Sequence, residues 1–144
     1  MDAADLITER YRLLDGDGQT ILGFAALLGY RPNVAYLVRC LDGRSATVID
    51  ALDMACELDL AVRESRKPPA YRFRHALVQD AVRKALGFER ARLMHATIAA
   101  ILEVLPNCDA LVEELAYHWS AAGVEAKADV YRAKAAQEAR RLGV

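Results

Sequence analysis

Apolar residues recur at helical intervals through most of the chain, and the interruptions mark its joints. A first helix is predicted over about 3–14, then a loop at Asp15-Gly-Asp-Gly18, then the nearly unbroken apolar run from Thr20 to Gly29, which a buried helix explains. Asn33 has the chemistry of an N-cap for a helix from Val34 to Leu41 that stops at Gly43. Ser45 is predicted to cap another helix running to Leu58, with Val48, Ile49, Leu52, Ala55 and Cys56 on one face. Three short helices in succession therefore follow the first.

The period then changes. Leu60 to Arg63 and Ala70 to Phe73 read as short strands, the second alternating Tyr71 and Phe73 against Arg72 and Arg74, with a polar turn at Pro68-Pro69 between them. Helices followed by such a hairpin are the order of a winged helix-turn-helix, whose hairpin lies beside the third helix. Beyond it the pattern is helical again. His75 to Leu86 places Leu77 or Val78, Ala81, Val82 and Leu86 on one face, and Phe88 to Leu105 places Met94, Ile98, Ile101, Leu102 and Leu105 on another, ending at Pro106. Asp109 is expected to cap a helix carrying Leu111, Leu115, Ala116, Trp119 and Ala122. After Gly123 comes a last helix over about 125–142, with Ala128, Tyr131, Ala135 and Ala139 along one side. The last two helices form a hairpin, and Trp119 is expected to be buried between them. The chain is thus expected to be mainly α, with a winged-helix domain at 1–90 and a helical linker and hairpin at 91–144.

A chain of 144 residues, 54% apolar and 27% charged, can build a real core without disulfide or metal staples. No apolar run approaches the roughly 18 residues of a membrane span, and the first residues lack the charge and apolar blocks of a signal peptide, so a cytoplasmic protein is expected. Cys40, Cys56 and Cys108 are widely spaced within apolar helical patterns and are expected to be buried thiols. The net charge of −1 conceals an asymmetry: residues 61–92 carry 9 basic and 3 acidic side chains, whereas residues 1–60 carry 5 and 10. A basic island in a neutral chain suits an anionic patch or a phosphate, or is simply a solvated arginine face.

Several chemistries are disfavoured. No Gly-Lys pair exists to wrap phosphates as a P-loop does, and Ser45, Ser65 and Ser120 stand in no nucleophile elbow. His75, His95 and His118 lack the close spacing of metal ligands, and the latter two lie beside apolar stripes, so they read as structural. No enzyme, metal or cofactor is expected in the chain itself. The helix over 45–58 contains Asp50, Asp53 and Glu57 without Lys or Arg, so it would be repelled by DNA phosphates and could not read bases.

The remaining constellation is Tyr71-Arg-Phe-Arg-His-Ala-Leu-Val-Gln-Asp80. It sets Arg74 and His75 where a strand turns into a helix, beside the positive end of the helix dipole, so that backbone amides, imidazole and guanidinium can receive an anion. The alternative is that His75 only caps the helix. Together with Ala25-Ala-Leu-Leu-Gly29 and Leu58-Asp-Leu-Ala-Val-Arg63, this segment resembles the winged-helix arm of STAND signal-transduction ATPases, notably large bacterial transcriptional regulators of the MalT and LuxR type and cyclase-linked ATPases. Arg74 to Asp80 also looks like the Met-His-Asp motif of plant resistance ATPases, with Ala76 where the motif has its acid. Leu115 to Gly123 and Lys127 to Gly143 are similar to the first tetratricopeptide-like hairpin that follows the arm.

The resemblance implies a regulatory module that couples the nucleotide state of an upstream ATPase core to downstream helical repeats. It also implies that His75, with Arg74, approaches the phosphates of ADP or ATP held by that core. Its partners would be the nucleotide-binding domain and the repeats, with neither a membrane nor, directly, DNA. A DNA-binding winged-helix protein and an interaction scaffold built on the helical hairpin are the other readings of the same residues.

Overall fold

The computed structural model describes residues 2–144, which form a mainly helical structure with one small two-stranded antiparallel sheet. The chain divides into two compact units between Ala91 and Arg92.

In the first unit, α1 (Ala3–Arg12) opens on a reciprocal cap: the Asp2 carboxylate accepts from the Asp5 amide at 2.9 Å while the Asp5 carboxylate accepts from the Asp2 amide at 3.3 Å. Next, α2 (Gly16–Leu28) is apolar nearly all round and is the unit's central helix, with Ile21, Leu22, Ala25 and Ala26 at most 1% exposed. The expected loop at 15–18 is instead its first turn. Asp15 is the N-cap, its carboxylate accepting from the Gly18 amide at 2.7 Å, and a side chain at Gly18 would crowd Leu14 and Asp15.

Two further helices, α3 (Val34–Cys40) and α4 (Ser45–Glu57), precede the sheet. Asn33 caps α3 as expected, accepting from the Tyr36 amide at 3.1 Å. Ser45 does not cap α4: the helix begins with Ser45 itself, and Arg44 at the cap position makes no side-chain cap bond because a guanidinium has no acceptor to offer.

Strands β1 (Ala61–Arg66) and β2 (Pro69–Phe73) form a hairpin that is longer than the apolar alternation predicts, with a bulge between Arg63 and Ser65 and a cis peptide bond at Lys67-Pro68. The alternation in β2 is as predicted: Tyr71 and Phe73 are buried, whereas Arg72 is half-buried and Arg74 exposed. Strand β1 lies along α4. Helix α5 (Ala76–Leu86) then turns Val78, Ala81, Val82 and Leu86 inward against α1 and α2, leaving Leu77 outside, and the Gln79 side-chain amide donates to the Ala26 carbonyl at 2.9 Å.

The division between units falls within α6 (Phe88–Glu103). In the second unit a 3-10 turn at Cys108–Leu111 leads to α7 (Val112–Ala121) and α8 (Glu125–Arg141), an antiparallel hairpin with Leu115, Ala116, Trp119 and Ala128 in its core. Asp109 lies inside the 3-10 turn and caps nothing, because Asn107 and Leu111 occupy the two cap positions. The three cysteines are partly exposed rather than buried, since Cys40 and Cys56 sit in the last turns of their helices and Cys108 starts the 3-10 turn. Burial still pushes the Cys40 thiol up to about 12, so it is an unreactive one. Among the described residues no helix is long and apolar enough to cross a membrane.

Candidate functional site

The position of Arg74 and His75 is fixed by the backbone around them. The Phe73 amide donates to the Tyr30 carbonyl and the Arg74 amide to the Leu60 carbonyl, each at 3.0 Å, so the chain leaves the sheet in one direction. The His75 carbonyl then accepts from the Val78 amide at 2.9 Å, which starts α5. His75 is the cap residue, in extended conformation, yet its ring makes no capping hydrogen bond and is exposed. The cap role that the residue types left open is thus filled by its backbone alone. The residue immediately precedes the first amides of α5, at the positive end of that helix.

Arg74 is exposed as well, its Nη1 at 3.9 Å from Asp59 Oδ1, a loose pair across two solvated side chains. The arginine before it behaves differently. Arg72 Nη1 donates to the carbonyls of Phe73 at 3.0 Å and Arg74 at 3.2 Å and to the Tyr30 hydroxyl at 3.3 Å, and its Nε lies 3.5 Å from Glu64. It buckles the end of β2 to the rest of the unit and so holds Arg74 and His75 in place. Period-two alternation identifies Arg72 as outward-facing, but says nothing about this clasp.

A second polar constellation joins α4 to the hairpin. Asp53 Oδ1 accepts from the Tyr71 hydroxyl at 2.7 Å and from Arg63 Nη2, which also reaches the Tyr71 oxygen at 3.2 Å. Burial pushes the Asp53 carboxyl up, but the Tyr71 hydroxyl and the Arg63 guanidinium outweigh it and hold the group below its ordinary range. An open groove of about 740 Å3 beside this cluster is lined by Asp53, Glu57, Glu64, Arg63 and Arg66 among others, so carboxylates and guanidinium groups share its walls. The carboxylates in that mixture make it a poor receptor for a phosphate.

In the second unit, His95 of α6 and His118 of α7 are both buried, with their Nδ1 atoms 2.8 Å apart and the Tyr117 ring set edge-on to His95. One imidazole donates and the other accepts, so the pair ties two helices together, in keeping with a structural role. Glu103 plays a similar part toward α8, accepting from the Tyr131 hydroxyl at 2.7 Å and from Lys127 Nζ at 3.1 Å. Lys127 also lies 4.4 Å above the centre of the Trp119 ring.

No group of three or more His, Cys, Asp or Glu residues is gathered as metal ligands among the described residues. Comparison with protein-family models, with curated proteins and with solved structures finds no match.

Proposed function

We propose that the chain is a non-catalytic transducing module of a STAND-type ATPase regulator, acting in the cytoplasm. Residues 1–90 would serve as its winged-helix arm and 91–144 as the start of its tetratricopeptide-like repeats. The observation that carries this reading is His75: at the head of α5, exposed, with a ring that no capping bond occupies, next to the loosely held Arg74. A histidine so placed is free to meet a phosphate presented by another domain, with the helix amides and Arg74 adding to the attraction. In the module's own terms, ADP in an upstream core would be gripped partly by His75, and loss of the grip would free the arm to change its packing and report to the helical repeats.

The charge distribution supports this over direct DNA binding. Helix α4 carries no cation, and Arg63, Arg72 and Arg74 of the hairpin region are each set against a carboxylate: Asp53, Glu64 and Asp59. Within the hairpin itself, only Arg66 and Lys67 at its tip have no such carboxylate neighbour among the described residues.

The experiment is a His75→Ala exchange in the ATPase chain that carries this module. ADP retention should fall about ten- to a hundredfold, as expected for loss of a charge-assisted phosphate contact, and basal output should rise. Unchanged ADP release and unchanged output would refute the reading.

A further inference from the structure

The excess positive charge of residues 61–92 is distributed unevenly by the fold. Arg63, Arg72 and Arg74 have carboxylate neighbours, whereas Lys84 and Arg90, together with Arg12 from α1, line a cleft of about 330 Å3 between α1 and α5. These three cations form no salt bridge among the described residues. Among the described residues no carboxylate lines the cleft.

Its uncharged polar groups are already committed: the Tyr11 hydroxyl donates to the Gln19 carbonyl at 2.9 Å, the Thr8 hydroxyl to the Ala4 carbonyl at 2.9 Å, and the Gln19 side-chain amide to the Leu14 carbonyl at 3.0 Å. The charge is therefore the unspent feature of the site. Arg12 and Lys84 stand in the last turns of α1 and α5, whose negative dipole ends offset roughly half a charge each. About two positive charges are left over, above a floor of Tyr11, which is 4% exposed, and the small side chains of Ala4, Ala81 and Ala85.

We infer that this cleft is a binding site for a compact phosphate-class oxyanion carrying two or more negative charges, with Arg12, Lys84 and Arg90 as its ligands. The volume exceeds that of a single phosphate and accommodates a diphosphate or a small phosphate ester. The site is separate from His75, which caps the opposite end of α5, about 13 Å from Lys84 along the helix axis. It therefore stands or falls independently of the proposed transducing role.

The test is an NMR titration of the whole 15N-labelled chain with inorganic pyrophosphate at roughly 150 mM salt, where only close charges act strongly. Saturable shifts are expected at the amides of Thr8, Tyr11, Gln19, Lys84 and Ala85. Combined Arg12→Gln, Lys84→Gln and Arg90→Gln exchanges should weaken binding at least about tenfold, because charge-assisted bonds dominate the site. Lys84→Gln alone, a change at an exposed position, should weaken it several-fold and keeps the test informative if the triple variant unfolds. Arg66→Gln with Lys67→Gln at the hairpin tip should leave binding unchanged. Shifts that do not saturate, shifts confined to the hairpin, equal losses in the cleft and tip variants, or a tighter response to a short DNA duplex than to pyrophosphate would each overturn the inference.

Discussion

Tyr71 contributes to the first unit in two ways at once: its ring is buried at 3% exposure, and its hydroxyl reaches Asp53 on α4 at 2.7 Å. Tyr71→Phe keeps the ring and removes the bond, so urea unfolding should show a loss of about 1 kcal/mol, the net worth of one such hydrogen bond. Glu103 is the corresponding residue of the second unit. Burial pushes its carboxyl up, but the Tyr131 hydroxyl and Lys127 ammonium outweigh this and hold it below the ordinary range, and Tyr131 is in turn raised to about 12, by burial first and by that carboxylate second. The buried Trp119 indole N–H meets no acceptor within hydrogen-bonding geometry among the described residues, yet adds to the same pull on Glu103. A carboxyl depressed in the folded state contributes stability that is present above its unfolded value of about 4.3 and is lost as pH falls through the lower folded value. The second unit should accordingly lose stability in that acid window, and Glu103→Gln should flatten the profile measured by denaturation at a series of pH values. Neither network is legible in the sequence. Asp53 reads only as one of three acids in the helix over 45–58 and Glu103 attracts no reading, because their partners lie 18 and 28 residues away and only the fold brings them together.

At the level of helices and strands the hydrophobic pattern was a good guide wherever one face is buried. The inward residues of α5 and α8, and the alternation in β2, follow directly from period 3.6 and period 2. Helix starts were less legible: Asn33 caps α3 as its chemistry predicts, but the starts of α2, α4 and α7 differ from the expected ones. Asp15-Gly-Asp-Gly18 has loop composition, but one carboxylate bonded to the Gly18 amide suffices to begin α2 there. Gly16 and Gly18 should therefore respond differently to alanine. Gly16 has nothing within 4 Å of an added Cβ, so Gly16→Ala should stabilise by up to about 1 kcal/mol through helix propensity. At Gly18 the new methyl would lie 3.1 Å from both Leu14 Cβ and Asp15 Oδ1, so Gly18→Ala should gain nothing or destabilise in the same thermal melt. In the hairpin of the second unit, Trp119 is buried as expected at 7% exposure. Trp119→Ala should cost about 3–5 kcal/mol, followed by circular dichroism because the only tryptophan is removed.

For the molecule as a whole, two compact units are each closed by their own core and their own polar clasps, while His75, the hairpin tip and the cleft between α1 and α5 are left facing solvent. The proposed switch depends on that distinction between spent and unspent groups. Arg72 is consumed in holding the end of β2, so Arg74 and His75, which follow it in the chain, are presented without supporting the core. In the isolated chain His75→Ala should cost well under roughly 1 kcal/mol, as exposed substitutions generally do. Under the proposed function, the most direct measurement is the rate at which ADP leaves an ATPase core joined to this module, compared between wild type and His75→Ala, with the stability of the isolated module measured in parallel. Release about ten to a hundred times faster, with the module's stability unchanged, is the expected result. Unaltered release, or a module that loses more than about 1 kcal/mol on the exchange, would make His75 a structural residue and contradict the transducing role.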